Sequence, residues 1–163
     1  MELKKHLDLR VIFVSLYVFA FIAYIIYGLQ PARAVNNDIT ASLSIPGISL
    51  TADVANLEVQ NGKLDTPDTI VGSYSRNHNK TLLIGHSTTV FSRLHEVRLG
   101  DELKYNDFAY RVVAIDLVPK PNISMTSLLK SEKEDTLILM TCAGTLLNNG
   151  DATHRLLIKA VRS

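Results

Sequence analysis

A chain of 163 residues with formal net charge +1 and mean hydropathy +0.14 has room for one domain and an apolar accessory segment. Residues 36–163 carry 13 basic and 14 acidic side chains, a balance that excludes the basic face used to bind nucleic acid. The single cysteine, Cys142, excludes an internal disulfide framework.

Residues 1–10 hold Lys4, Lys5 and Arg10 and are expected to be a cytoplasmic N-terminus. Residues 11–29, VIFVSLYVFAFIAYIIYGL, contain no charge. As a helix these 19 positions span roughly 28 Å, the thickness of a bilayer's hydrocarbon core. A transmembrane anchor is therefore expected, with the bulk of the chain outside the cell because the basic flank stays in. Ala32-x-Ala34 has the small-residue spacing of a signal-peptidase site. The apolar run exceeds the roughly 7–15 residues of a cleavable signal, so an uncleaved anchor is the reading taken. Residues 30–40 read as a linker, and residues 41–163 as one extracellular domain.

Within that domain, 41–50 alternates like a strand interrupted by Pro46-Gly47. Residues 51–62 look like a short helix ending at Asn61-Gly62, and 72–80 like a polar loop. TLLIG (81–85) is a continuous apolar run, the mark of a buried strand. Phe91, Leu94 and Val97 repeat every three residues and suggest a helical turn packed on the core. Residues 101–105 open a strand, Asn106-Asp107 a hairpin turn, and 108–118 the longest strand. After PKPN, residues 124–134 read as a short helix or lid-like loop. Residues 136–142 and 154–162 are two further strands. Many short strands with few helices imply a mainly-β fold, a small closed or nearly closed barrel.

Three chemically useful residues stand at strand boundaries. His86 follows LLIG, Cys142 follows LILMT, and Arg155 opens RLLIK. Cys142 by itself admits two readings, a reactive thiol or a small buried apolar residue. If the three strands are neighbours, a chemistry follows. The thiolate is the nucleophile, a histidine protonates a leaving amine, and an arginine donates to the oxyanion formed on an attacked carbonyl. His78, His86 and His95 are spaced eight and nine apart, which matches no compact zinc set, so no metal and no cofactor is expected.

IGHS, ILMTC and THRLL, with FSRLHEVRLGDEL and TSLLKSEKEDTLILMTC, resemble the corresponding segments of sortases, the cysteine transpeptidases of bacterial cell surfaces. The resemblance covers roughly 43–162. It implies an eight-stranded sortase-like β-barrel with Cys142 as nucleophile, His86 as general acid/base and Arg155 as oxyanion or substrate-positioning group. It also implies cleavage of an LPxTG-like C-terminal sorting signal on a surface protein. The acyl group then passes through a Cys thioester to an amine on peptidoglycan or a pilin lysine. Thr141, Ser87, Met125 and Leu128 are the candidate substrate-binding residues. Ala143-Gly144 would leave room for a peptide backbone near the sulfur. The family motif TLxTC here reads Ile138-Leu139-Met140-Thr141-Cys142, lacking its first threonine. Calcium-using sortases place carboxylates before the histidine. The nearest here is Asp68, so calcium activation is not expected. The competing readings are a non-catalytic surface module on the same barrel and a peptidase that mainly hydrolyses.

Overall fold

The computed structural model describes residues 38–60, 63–64, 66–77, 79–148 and 150–163, together with Val18 and Phe21. In chain order the strands are β1 (Ile39–Ile45), β2 (Leu50–Asn56), β3 (Val59–Gln60), β4 (Lys63–Leu64), β5 (Val71–Asn77), β6 (Lys80–Ile84), β7 (Glu102–Tyr105), β8 (Phe108–Pro119), β9 (Thr136–Leu146) and β10 (Ala152–Arg162). A single-turn helix, α1 (Met125–Leu128), precedes β9, and short 3₁₀ turns occupy 46–48, 94–96 and 120–122. The N-terminal stretch Met1–Asn36 is a separate unit, of which only Val18 and Phe21, both helical, are described. The expected anchor at 11–29 otherwise lies outside the described residues. Among the described residues no helix is long and apolar enough to cross a membrane.

Eight strands close into a barrel in the order β1-β2-β5-β6-β9-β10-β8-β7, and β3 pairs only with β4. The expected mainly-β barrel with short helices is therefore present. Most neighbours are antiparallel, but β2 runs parallel to β5 and β6 parallel to β9. The Asn106-Asp107 turn forms as expected, with Tyr105 paired to Phe108 and Asn106 at φ +53°. That left-handed conformation is one asparagine tolerates.

Side-chain parity sorts the strands into two layers. On β9, Leu137 and Leu139 point into the barrel, against Leu43, Leu83, Phe91, Leu103 and Ile158. Ile138 and Met140 point outward into a second cluster with Leu82, Ile84 and Leu129. A strand covered on both faces needs no polar alternation, which is why 137–140 reads as an unbroken apolar run. The outer cluster is covered by Leu57, by Leu64 of β4 and by Leu128 of α1.

Two local expectations are overturned. Residues 50–56 form strand β2, not the start of a helix, and the β3–β4 hairpin follows. Val54 and Ala55 are fully buried, and the backbone of β2 is paired on both sides by β1 and β5. That pairing overrides a helical spacing of Val54 and Leu57. The expected polar loop 72–80 is instead β5 and the start of β6. Its polarity is absorbed by hydrogen bonds: Ser73 Oγ donates to Asn56 Oδ1 at 2.9 Å and Ser75 Oγ to the Lys80 carbonyl at 2.8 Å. The short helix expected within 124–134 is present as Met125–Leu128, with Ser124 as its N-cap.

The remainder of that loop is fastened by charge. The Lys80 ammonium, only 6% exposed, meets Glu132 at 3.0 Å, and Lys159 meets the other carboxylate oxygen at 2.9 Å. The Asn79 amide donates to the Glu132 carbonyl, and Ser131 Oγ to Asn79 Oδ1. The bonds from Lys159 and Lys80 hold the Glu132 carboxyl below its usual range. A depressed carboxyl stabilises the fold above its unfolded value and loses that contribution as pH falls through the folded one. Glu132→Gln should therefore cost about 2 kcal/mol near neutral pH, the scale of a lost charge-assisted bond to a buried ammonium. The difference from the parent should shrink as the medium is acidified through and below pH ~4. Thermal unfolding of both proteins between pH 7 and 3 checks this; a pH-independent gap would refute the anchoring role.

Candidate active site

His86, Cys142 and Arg155 reach one groove because their strands are neighbours and their parity agrees. Cys142 on β9 and Arg155 on β10 are directly paired across the antiparallel ladder, which puts both side chains on one face. On the other side of β9, the parallel register pairs Ile84 with Met140, and Gly85 N donates to the Met140 carbonyl at 3.3 Å. Continued by two residues, that register sets His86 beside Cys142. Counting by twos, His86 follows Leu82 and Ile84, Cys142 follows Ile138 and Met140, and Arg155 precedes Leu157. All five apolar residues belong to the outer cluster. The site thus opens on the outside of the sheet, at the end of the second apolar layer.

Each side chain is fixed locally. Gly85 accommodates the loop after His86, since a Cβ there would lie 2.7 Å from both the Phe91 and Val90 side chains. Phe91 N and Thr89 N close back on the His86 carbonyl at 3.0 and 3.3 Å. His86 Nε2 donates to the Thr66 carbonyl at 3.3 Å and lies 3.7 Å from Asp68 Oδ1. With the proton on Nε2, a neutral ring keeps its lone pair on Nδ1. Asp68 is 95% exposed. Cys142 is a free, half-buried thiol.

Arg155 is held tightly at 15% exposure. Its Nη1 donates to the carbonyls of Ala152 at 3.1 Å and His154 at 3.0 Å, and its Nη2 to Asp151 Oδ1 at 2.8 Å. These use three of the five guanidinium N–H donors, and two remain for another acceptor. Lys120, in the turn after β8, pairs with the second Asp151 oxygen.

The groove has a volume of about 490 Å³ and an apolar floor of Ile84, Met140 and Leu129. Val59 and Leu64 of the β3–β4 hairpin form one wall, and Met125 and Thr126 of α1 another. Among the expected substrate-binding residues, Met125 and Thr141 line it, whereas Leu128 and Ser87 do not. Leu128 instead packs under the loop in the outer cluster. Thr141 is 5% exposed, and its hydroxyl donates to the Gly85 carbonyl at 2.7 Å, so it stitches β9 to the histidine segment from beneath. Gly144 does not leave room for a substrate. Its φ is +80°, and a Cβ there would meet Thr153 Oγ1 at 2.5 Å, so the space belongs to β10 at an irregularity of the ladder. His154 sits on the face opposite Arg155, with its Nδ1 2.8 Å from Thr153 Oγ1.

Sequence reasoning missed Thr66, Tyr74, Arg76, Val59 and Leu64, all of which line the groove. The Tyr74–Arg76 spacing of two is the signal of one strand face, but it was masked by the polar residues around it. No cluster of three metal-ligating side chains occurs among the described residues.

This geometry has close parallels. A family model described as the Sortase domain matches residues 43–163. Sortase D of Bacillus subtilis (strain 168) is 38% identical over 73 residues, which are 42% of this chain and 36% of that protein, so the match spans about a third of the curated relative. A lid mutant of sortase A from Corynebacterium diphtheriae superposes with a TM-score of 0.58 at 25% identity, covering 83% of this chain and 75% of that one. Sortase C2 of the Group B Streptococcus pilus island 1 shares the fold, with a TM-score of 0.60 at 20% identity over 79% of this chain and 76% of its own.

Proposed function

The chain belongs to the sortase family, whose members are cysteine transpeptidases, and from that premise we propose that it cleaves a C-terminal sorting signal of LPxTG type and transfers the acyl part to an amine. The observation that carries this is the meeting of Cys142, His86 and Arg155 on one groove of about 490 Å³.

In the proposed reaction the Cys142 thiolate attacks the scissile carbonyl. The oxyanion accepts from the two unused donors of the Arg155 guanidinium, a forked geometry suited to one oxygen. Protonated His86 gives its proton to the leaving amine as the C–N bond breaks, and a thioester remains on Cys142. An incoming amine attacks that thioester, His86 takes its proton, and the thiolate departs. The acceptor is an amine of peptidoglycan or a pilin lysine, and product from water in its place would make the protein mainly a peptidase. Residues 11–29 serve as an uncleaved single-pass anchor with the N-terminus cytoplasmic and the barrel at the cell surface, supported by the uncharged apolar run and the basic flank before it.

The test is mass spectrometry of the protein with a panel of sorting-signal peptides and several amines. A thioester adduct on Cys142 and an amide-linked product are expected. Only free acid in the presence of excess amine would overturn the transfer step, and no adduct with any peptide would overturn the reading itself.

A further inference from the structure

The groove carries a charge that the catalytic group does not use. Its described lining includes Arg76, His86 and Arg155 but no aspartate or glutamate. Arg76 lies on β5, on the same face as Tyr74, at the register irregularity between Ser75 and Asn77. It is exposed, and among the described residues no hydrogen bond or ion pair engages its side chain. Arg93, Arg111, Arg155 and Arg162, by contrast, each have an oxygen partner. An unpaired guanidinium at the margin of an apolar groove is a free recognition group, because a carboxylate there forms a forked pair and meets no repulsion.

Its position relative to the sulfur follows from the ladder. Arg76 lies opposite Lys80 and Thr81, which are six and five residues before His86 along β6. At ~3.3 Å per residue that is about 17–20 Å. A peptide extended along the groove covers the same distance in roughly five or six residues. The acyl half of the substrate must stay bound through both chemical steps, whereas the amine half leaves and is replaced. The walled arm, between the β3–β4 hairpin and α1, therefore suits the acyl half, and Arg76 belongs to that arm.

We propose that Arg76 is a specificity residue that selects substrates with an acidic side chain about five or six residues before the cleaved bond. This rests on the transpeptidase reading above and adds a substrate class to it, sorting signals preceded by an acidic residue.

The experiment uses the full chain in detergent micelles and one peptide that it turns over. Glu, Gln or Lys is placed in turn at each position from the third to the seventh before the scissile bond. The expected result is a preference in kcat/KM for Glu over Gln of roughly 2- to 5-fold at one or two adjacent positions, the size of a solvent-exposed ion pair. It should fade near 1 M salt, where exposed charges are screened beyond about 3 Å. Arg76→Gln should flatten the preference, and Arg76→Glu should turn it towards Lys at the same positions. A merely structural arginine would not produce that exchange. Turnover with equal rates for Glu, Gln and Lys, or an unchanged preference in Arg76→Gln, overturns the assignment and leaves the transpeptidase reading standing. No turnover of any peptide and no Cys142 adduct overturns both.

Discussion

Cys142→Ala is expected to abolish both cleavage and adduct formation while leaving the barrel intact. In the proposed reaction the thiol supplies the bond-forming electron pair, and the sequence has no other cysteine to replace it. The structural cost is small because the residue is half-buried at the outer face and its neighbours are held by other contacts. Thr141 is tied to Gly85, and the pairing of β9 with β6 and β10 uses backbone groups. The unfolding free energy should change by no more than about 0.5 kcal/mol, the usual range away from core and networks. Peptide cleavage followed by chromatography, beside a thermal melt of the same sample, checks both halves. Measurable turnover in this variant would assign the chemistry to another group. A lost fold would move Cys142 from the site to the core.

Arg155→Lys is the second substitution with a large expected effect, a fall of about 10²-fold or more in kcat. Lysine retains the charge but not the fork. A single ammonium cannot satisfy the Ala152 and His154 carbonyls and the Asp151 carboxylate and still present donors to an oxyanion. KM should change little, because the interaction strengthens only as charge develops on the carbonyl oxygen. Asp151→Asn is the informative companion. It keeps the side-chain shape and weakens the hold on the guanidinium, so kcat should drop several-fold, less than with Arg155→Lys, at similar KM. Equal KM increases without a fall in kcat would make Arg155 a ground-state peptide binder, not a transition-state donor.

Much of the site was legible before the structure because the relevant signals are local. Apolar runs ending before His86 and Cys142, and the run after Arg155, mark strands. The expected strand ends hold only for His86, because β9 continues past Cys142 to Leu146 and β10 already begins at Ala152. Parity was legible too, since Leu82, Ile84 and His86 share a face in any extended strand. Residues 51–56 and 72–77 were misread for the converse reason. Their apolar content is low or spaced like a helix, and they are strands only because β1 and β6 provide backbone partners. The groove wall was illegible for the same reason. Val59 and Leu64 sit on two-residue strands whose place over the outer cluster depends on chain segments far away in sequence.

By itself the sequence determined that a thiol, an imidazole and a guanidinium would stand beside apolar runs that form strands, because burial pattern and strand period are properties of neighbouring residues. Only the tertiary structure decided that β9 lies between β6 and β10, so that the three side chains emerge together. It alone placed Asp151 and Lys120 behind Arg155, gave the space beside Gly144 to Thr153, and left Arg76 at the groove's margin without a partner among the described residues. Strand neighbours are chosen by the summed packing of two apolar layers over the whole barrel, and no window of sequence contains that sum.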